Sequence, residues 1–263
     1  MKIALVQTEP IFGDLEGNLQ VVSDVLADCR ADLCILPELA FTGYQFRDAE
    51  ELGGLAESRD GRQVRALRSM ARQTGGALVA GFAEVDQGRF YNSAVLVDAS
   101  GLLGIYRKVH LFDREKELFT PGDMGFPVFE YRGVVVGLMI CFDWLFPEAA
   151  RSLALAGAQV IVHPANLVLP YCQDAMVTRA LENRVFVATA NRVGIEERLD
   201  GERLVFSGKS RLVGPDGTVL LDAPQGRTGL FSAEIDPARA DDKAITSRNH
   251  VLADRRTEQY RVD

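Results

Sequence analysis

Three side chains of different chemistry stand at the same kind of address in this sequence. Cys141 ends the apolar run VVVGLMIC, Glu38 follows DLCILP, and Lys108 closes the strand-like stretch LLGIYRK. A run apolar on both faces fits a buried strand, and Pro147 just beyond Cys141 is well placed to open a helix, where its missing N–H would find no partner anyway. Ligands of open α/β sheets bind outside the carboxyl ends of strands, so side chains there are favoured for function. A carboxylate, an ammonium and a thiol form a complete set for attacking an electrophilic carbon bonded to nitrogen. The condition is that the thiol becomes a thiolate, which nearby positive potential favours and apolar burial opposes. Taken singly each has a plainer explanation: a packed cysteine, a solvated or helix-capping glutamate, a lysine facing water. The set carries the inference, not any one member.

Composition removes several other classes. With 263 residues, 47% of them hydrophobic and 25% charged, the chain has the profile of an ordinary globule with a substantial core. A formal net charge of −8 argues against a nucleic-acid or anionic-membrane surface. No segment approaches the roughly 18 apolar residues of a membrane span, and MKIALVQTEP lacks the apolar region of a signal peptide, so the cytoplasm is the expected location. The four cysteines, Cys29, Cys34, Cys141 and Cys172, form no C-x-x-C pair and have no histidine at metal-like spacing. Neither disulfides nor a structural zinc is therefore expected. Only His110, His163 and His250 are present, and a papain-like enzyme would have to draw its base from His110 or His163, both better explained as strand-end residues.

Periodicity predicts strands over 2–8, 32–37, 77–85, 94–98, 102–110, 134–141, 159–164, 186–190, 210–213, 219–221 and 231–235, with helices over 18–31, 62–75, 147–156 and 177–184. Neighbouring strands joined by turns such as DQGRFYN and ASG point to antiparallel hairpins, so a purely parallel Rossmann sheet is not expected. The chain has no fixed-period repeat, low-complexity stretch or Pro/Ser-rich linker, and residues 1–263 are expected to form one domain. The tail from 239 to 263 is charged, poor in apolar residues, and suited to lie over a neighbouring subunit.

The segments around these residues resemble the carbon-nitrogen hydrolase family, the nitrilase superfamily. The matching pieces are LPELAFTGY, YRKVHLF, EKELFTPGD and GLMICFDWLFPEAAR, followed by GAQVIVHPAN, RALENRVFVATANRVG and KSRLVGPDG, so the resemblance spans nearly the whole chain. It implies a four-layer αββα sandwich of two mixed β-sheets with outer helices, joined into homodimers or higher oligomers, with no metal or organic cofactor. It also implies a Glu38–Lys108–Cys141 triad working through a thioester. Cys141 would be the nucleophile and Glu38 the proton carrier that later activates water. Lys108, with the backbone N–H of Phe142, would stabilise the oxyanion. A second glutamate orients the lysine in this family; Glu115 fits its spacing and Glu117 is the alternative. Two like-charged carboxylates close together would raise one pKa and so help a base near neutral pH.

For the substrate, aromatic and polar residues near the strand ends outline a small pocket: Phe41 and Tyr44 after Glu38, Phe142 and Trp144 after Cys141, and Asn166. In the family, Cys-aromatic-Asp as in Cys141-Phe142-Asp143 is more usual among amidases and carbamoylases than among nitrile hydrolysers. The expected activity is hydrolysis of small aliphatic amides or N-carbamoyl compounds with release of ammonia, and nitrile hydrolysis is the runner-up. A non-catalytic scaffold relative would be expected to have lost one of the three residues, and none is lost.

Overall fold

Residues 1–261 are described by a computed structural model, so the last two residues of the charged tail lie outside the described part. In chain order the first half holds β1 (Lys2–Gln7), α1 (Leu15–Leu26), β2 (Leu33–Ile35), α2 (Ala49–Leu55), α3 (Arg62–Thr74), β3 (Ala77–Asp86), β4 (Arg89–Val97) and β5 (Leu102–Arg107). After α4 (Glu115–Leu118) come β6 (Val128–Tyr131), β7 (Val134–Leu138), α5 (Pro147–Leu155), β8 (Val160–Ala165), α6 (Cys172–Asn183) and β9 (Phe186–Asn191). The chain ends with β10 (Val193–Leu199), β11 (Glu202–Ser207), β12 (Arg211–Val213), β13 (Val219–Asp222), β14 (Gly229–Glu234) and a small tail hairpin.

The strands build two six-stranded mixed sheets, ordered β14-β1-β2-β3-β4-β5 and β13-β12-β9-β8-β7-β6. In each, three central strands run parallel and the flanking strands pair antiparallel. The two-residue side-chain period assigns the faces. Ile3, Leu5, Ile35 and Val79 meet Val136, Leu138, Ile161 and Val187 of the second sheet in one core. Ala4, Val6, Cys34 and Leu78 point the other way, onto Leu19 and Val22 of α1 and Val64 and Leu67 of α3. On the far side α5 and α6 cover the second sheet through Leu153, Ala154, Met176 and Ala180. The result is the expected helix-sheet-sheet-helix sandwich, stabilised by about 1.5–3 kcal/mol for each large apolar side chain withdrawn from water. Among the described residues no helix is long and apolar enough to cross a membrane.

Local differences from the expected elements have identifiable causes. The first helix starts at Leu15 instead of 18 because Asp14 caps it, accepting from the Gly17 N–H at 3.0 Å. The helix expected over 177–184 begins already at Cys172, and the strand over 94–98 extends back to Arg89. Strand β7 stops at Leu138, and a 3-10 turn, Cys141–Leu145, precedes α5 with Pro147 at its first position. The β10–β11 hairpin escapes a periodicity test because it sits apart from both sheets and alternates only partly.

Candidate active site

Beyond Ile35 the chain keeps pairing with β3: the Gly81 N–H donates to the Pro37 carbonyl and the Ala40 N–H to the Gly81 carbonyl, at 3.0 Å each. Glycine is required at 81, since a Cβ there would lie 2.5 Å from the Cα of Glu38. Glu38 is thereby fixed as a fully buried residue at the extended end of β2. Lys108, equally buried, continues β5 by one residue, its N–H donating to the Asn92 carbonyl at 2.8 Å. Cys141 opens the 3-10 turn with φ of 39°, and Leu39, next to Glu38, has φ of 46°. Such left-handed conformations cost about 1–3 kcal/mol away from glycine and persist only where the surroundings enforce them.

The charged side chains meet in one cluster. Lys108 Nζ donates to Oε1 of Glu38 and to Oε1 of Glu115, 2.7 Å in both cases. Asn92 Nδ2 donates to the same Glu38 oxygen at 2.7 Å. The Tyr44 hydroxyl donates to Glu115 Oε1 at 2.6 Å, and the Phe112 N–H to Glu115 Oε2 at 3.2 Å. Glu38 Oε2, although buried, has no partner. Burial opposes the Lys108 charge, but Glu115 and Glu38 outweigh it and keep the ammonium protonated, far above the ordinary lysine range. The upward push on a carboxylate falls on Glu115, through burial first and the charge of Glu38 after it, with Lys108 pulling against both. Burial and then the Glu38 charge push the Cys141 thiol well up, while Lys108 and the Asn166 backbone N–H pull it down. At rest the thiol is therefore neutral, and it lies within electrostatic reach of all three charged groups.

Several supporting residues had no signal strong enough to single them out. Asp143, fully buried, accepts from the Tyr106 hydroxyl at 2.6 Å, the Ile140 N–H at 2.9 Å and the His110 N–H at 3.1 Å, and its Oδ1 lies 2.8 Å from His110 Nδ1. It ties the chain on both sides of Lys108 to the turn that carries Cys141. A carboxylate inside the apolar stretch ICFDWLF was the available hint. His163 Nε2 lies 2.8 Å from the Cys141 carbonyl, and its Nδ1 3.0 Å from the Thr189 hydroxyl. A carbonyl can only accept, so the ring proton sits on Nε2. Burial lowers the ring's pKa to about 4, and this histidine is a neutral strut beneath the cysteine backbone. Glu196 of β10 accepts from the backbone N–H groups of Tyr44 and Gln45 and pairs with Arg192, anchoring the loop after Glu38 to the β10–β11 hairpin.

Of the two candidate second glutamates, Glu115 joins Lys108 whereas Glu117 is exposed, with its nearest cation Arg114 at 3.9 Å. Phe142, Trp144 and Asn166 line one cavity with Cys141, Phe112 and the 167–169 segment, a space of about 230 Å³ including its open mouth. Both polar atoms of the Asn166 side chain are buried there without partners. Tyr44 lines a neighbouring cavity instead, its hydroxyl committed to Glu115. Phe41 is no pocket wall: the turn after Glu38 carries it, fully buried, into the core between the first sheet and its helices, with Leu36, Ala40 and Phe82.

Comparison with known proteins agrees with this geometry. Residues 2–244 match the family model described as carbon-nitrogen hydrolase. A protein named nitrilase from Pyrococcus abyssi is 46% identical over 99% of both chains. An (R)-stereoselective amidase from a Pseudomonas species is 39% identical over 98% of this chain and 95% of its own. Among solved structures, the amidase from Nesterenkonia sp. AN1 superposes with a TM-score of 0.81 at 30% identity, covering 98% of this chain and 94% of that one. In that structure, of a glutamate-to-glutamine mutant, the acetamide moiety of fluoroacetamide is covalently added at the active-site cysteine. With its two facing mixed sheets and a family match over nearly its whole length, this chain belongs to the carbon-nitrogen hydrolase family and is an enzyme of the amidase and nitrilase type.

Proposed function

We propose that the enzyme hydrolyses small, uncharged amides or N-carbamoyl compounds, releasing ammonia through a thioester on Cys141. The observation that carries this reading is the unspent Oε2 of Glu38, a buried acceptor whose other oxygen holds an ammonium and whose charge acts on a neutral thiol. A buried carboxylate oxygen without a donor costs about 1–3 kcal/mol or more, and a thiol or water proton satisfies it. Glu38 takes the Cys141 proton as sulfur attacks the carbonyl carbon, then delivers it to the departing nitrogen so that the C–N bond breaks and ammonia leaves. A water enters, Glu38 draws off its proton, and the oxygen attacks the thioester to free the acid and the thiol. Lys108, with the Phe142 backbone N–H, holds the oxyanion in each tetrahedral intermediate. Glu115 keeps Lys108 in place from the other side.

The cavity beside Cys141 is walled by Phe112, Phe142, Trp144 and the Leu167, Val168 and Leu169 side chains, with Asn166 as its polar contact. Such a lining favours a short apolar acyl group and offers nothing to balance a substrate charge. Nitrile hydrolysis is the second reading, supported by the nitrilase name of the Pyrococcus relative. As oligomer we propose a cytoplasmic homodimer, because Leu145, Leu155, Tyr171 and Leu181 stand exposed on and around α5 and α6. Ammonia release should be measured over a panel of aliphatic amides, N-carbamoyl amines and nitriles. Turnover of short neutral amides, abolished in a folded Cys141→Ala variant, is the expected result; a panel without ammonia, or activity retained by that variant, overturns the proposal.

A further inference from the structure

Far from the cavity, a second pair of sulfur atoms lies in contact. Cys29 Sγ and Cys34 Sγ are 3.2 Å apart. Cys34 sits on β2 and faces α1 and α3, while Cys29 sits in the turn that leads from α1 towards β2. Cys34 is fully buried, but Cys29 keeps a little exposure between the exposed residues Asp28 and Arg30. A disulfide needs about 2.05 Å between sulfurs, roughly 1.2 Å less than the present contact, and Cys29 lies outside helix and strand between the exposed residues Asp28 and Arg30.

We propose that Cys29 and Cys34 form a redox modification site, which a peroxide-class oxidant converts to a disulfide clamping the end of α1 to β2. The Cys34 thiol donates to Cys29, and the Ala31 N–H with the charges of Lys2 and Arg30 assists, so that Cys29 is held down to about 6 against the cost of burial. The partner Cys34 is pushed up by the same shared proton and by burial. Cys29 is thus the attacking thiolate. Its sulfur attacks one peroxide oxygen, the O–O bond breaks, and a sulfenic acid and hydroxide form; the hydroxide takes the Cys34 proton to become water. The Cys34 thiolate then attacks the Cys29 sulfur, an S–S bond forms, and the S–O bond breaks with departure of hydroxide, which leaves as water on protonation. In all, two thiols lose two electrons to one peroxide. In a chain read as cytoplasmic, disulfides are mostly transient and redox-sensing. Cys172, buried with no cysteine in contact, has no such route.

Arg30 lies between the two cysteines, so trypsin separates them into the peptides 3–30 and 31–47. The full-length protein is treated with hydrogen peroxide, alkylated under denaturing conditions and digested without reduction. The expected product is these two peptides joined, two hydrogens lighter than their sum and separated again by dithiothreitol. In Cys34→Ser, dimedone should label Cys29 as the trapped sulfenic acid. Cys29 and Cys34 both fully alkylated at a peroxide dose that oxidises Cys141, or no dimedone label on Cys29 in Cys34→Ser, would overturn the proposal.

Discussion

Arg107 and Lys108 are consecutive cations, the first with three carboxylates within 4 Å and the second with two, and their surroundings differ in one respect that bears on chemistry. Arg107 donates through Nε and Nη2 to both oxygens of Glu84 at 2.9 and 2.7 Å, reaches Asp86 at 2.7 Å, and lies over the Tyr91 ring at 3.9 Å. Glu84 takes a further bond from the Ser93 hydroxyl at 2.6 Å. In that cluster both oxygens of the buried carboxylate are satisfied, so nothing is left over to react. One residue along, on the opposite face of the strand, Lys108 bonds Glu38 and Glu115 through one oxygen each and leaves Glu38 Oε2 without a donor, within electrostatic reach of a neutral thiol. Both clusters sit at the same end of β5 and each pairs its cation with a buried glutamate, although Asp86 is half exposed where Glu115 is buried. What separates the two buried glutamates is an unspent acceptor, and in the proposed mechanism reactivity follows that acceptor, not the ion pair.

The largest expected effect comes from removing that acceptor. Glu38→Gln should lower turnover by ~10²–10⁴-fold, the usual worth of a positioned proton carrier. Because the Glu38 charge is one of the forces raising the thiol, the same variant should titrate Cys141 at lower pH, followed by thiolate absorbance or by the pH dependence of iodoacetamide labelling. A slower enzyme with an easier thiolate identifies Glu38 as the proton carrier; a faster one would mean that thiolate population alone limits the rate. Lys108→Met should cost about 10²–10³-fold in kcat through loss of an oxyanion donor, measured on protein shown by circular dichroism to be folded. Arg107→Met should leave kcat per folded molecule within about twofold while destabilising the protein by ~3–5 kcal/mol in urea titration, since Glu84 loses its ion-pair partner in the interior. Smallest of all, Glu117→Gln should change neither rate nor stability by more than about 0.5 kcal/mol, because its carboxylate lies in water.

The addresses of Glu38, Lys108 and Cys141 were legible because each ends an apolar run, and a strand end is a feature of local sequence. Family resemblance supplied the two-sheet sandwich, which periodicity alone could not, since alternation assigns a residue to a face and not to a sheet. Glu115 was separable from Glu117 by spacing, but only the fold shows that two residues further along the chain turns the carboxylate from the lysine into solvent. Asn92 and Asp143 were overlooked for one reason: their partners, Glu38 and the Tyr106–His110 segment, lie 54 and up to 37 positions away in sequence. Phe41 belongs to the core and not to the pocket, a distinction the sequence does not carry because an aromatic in the turn beside a reactive residue fits either until the path of that turn is known.

The most direct test of a Cys141-centred reaction is an acid quench during turnover of a short neutral amide, followed by peptide mass analysis. An acyl group of the substrate's mass on the Cys141 peptide, absent from Cys141→Ala, is the predicted result. Steady release of ammonia with Cys141 unmodified at every quench time, or the acyl group carried on another residue, would contradict it.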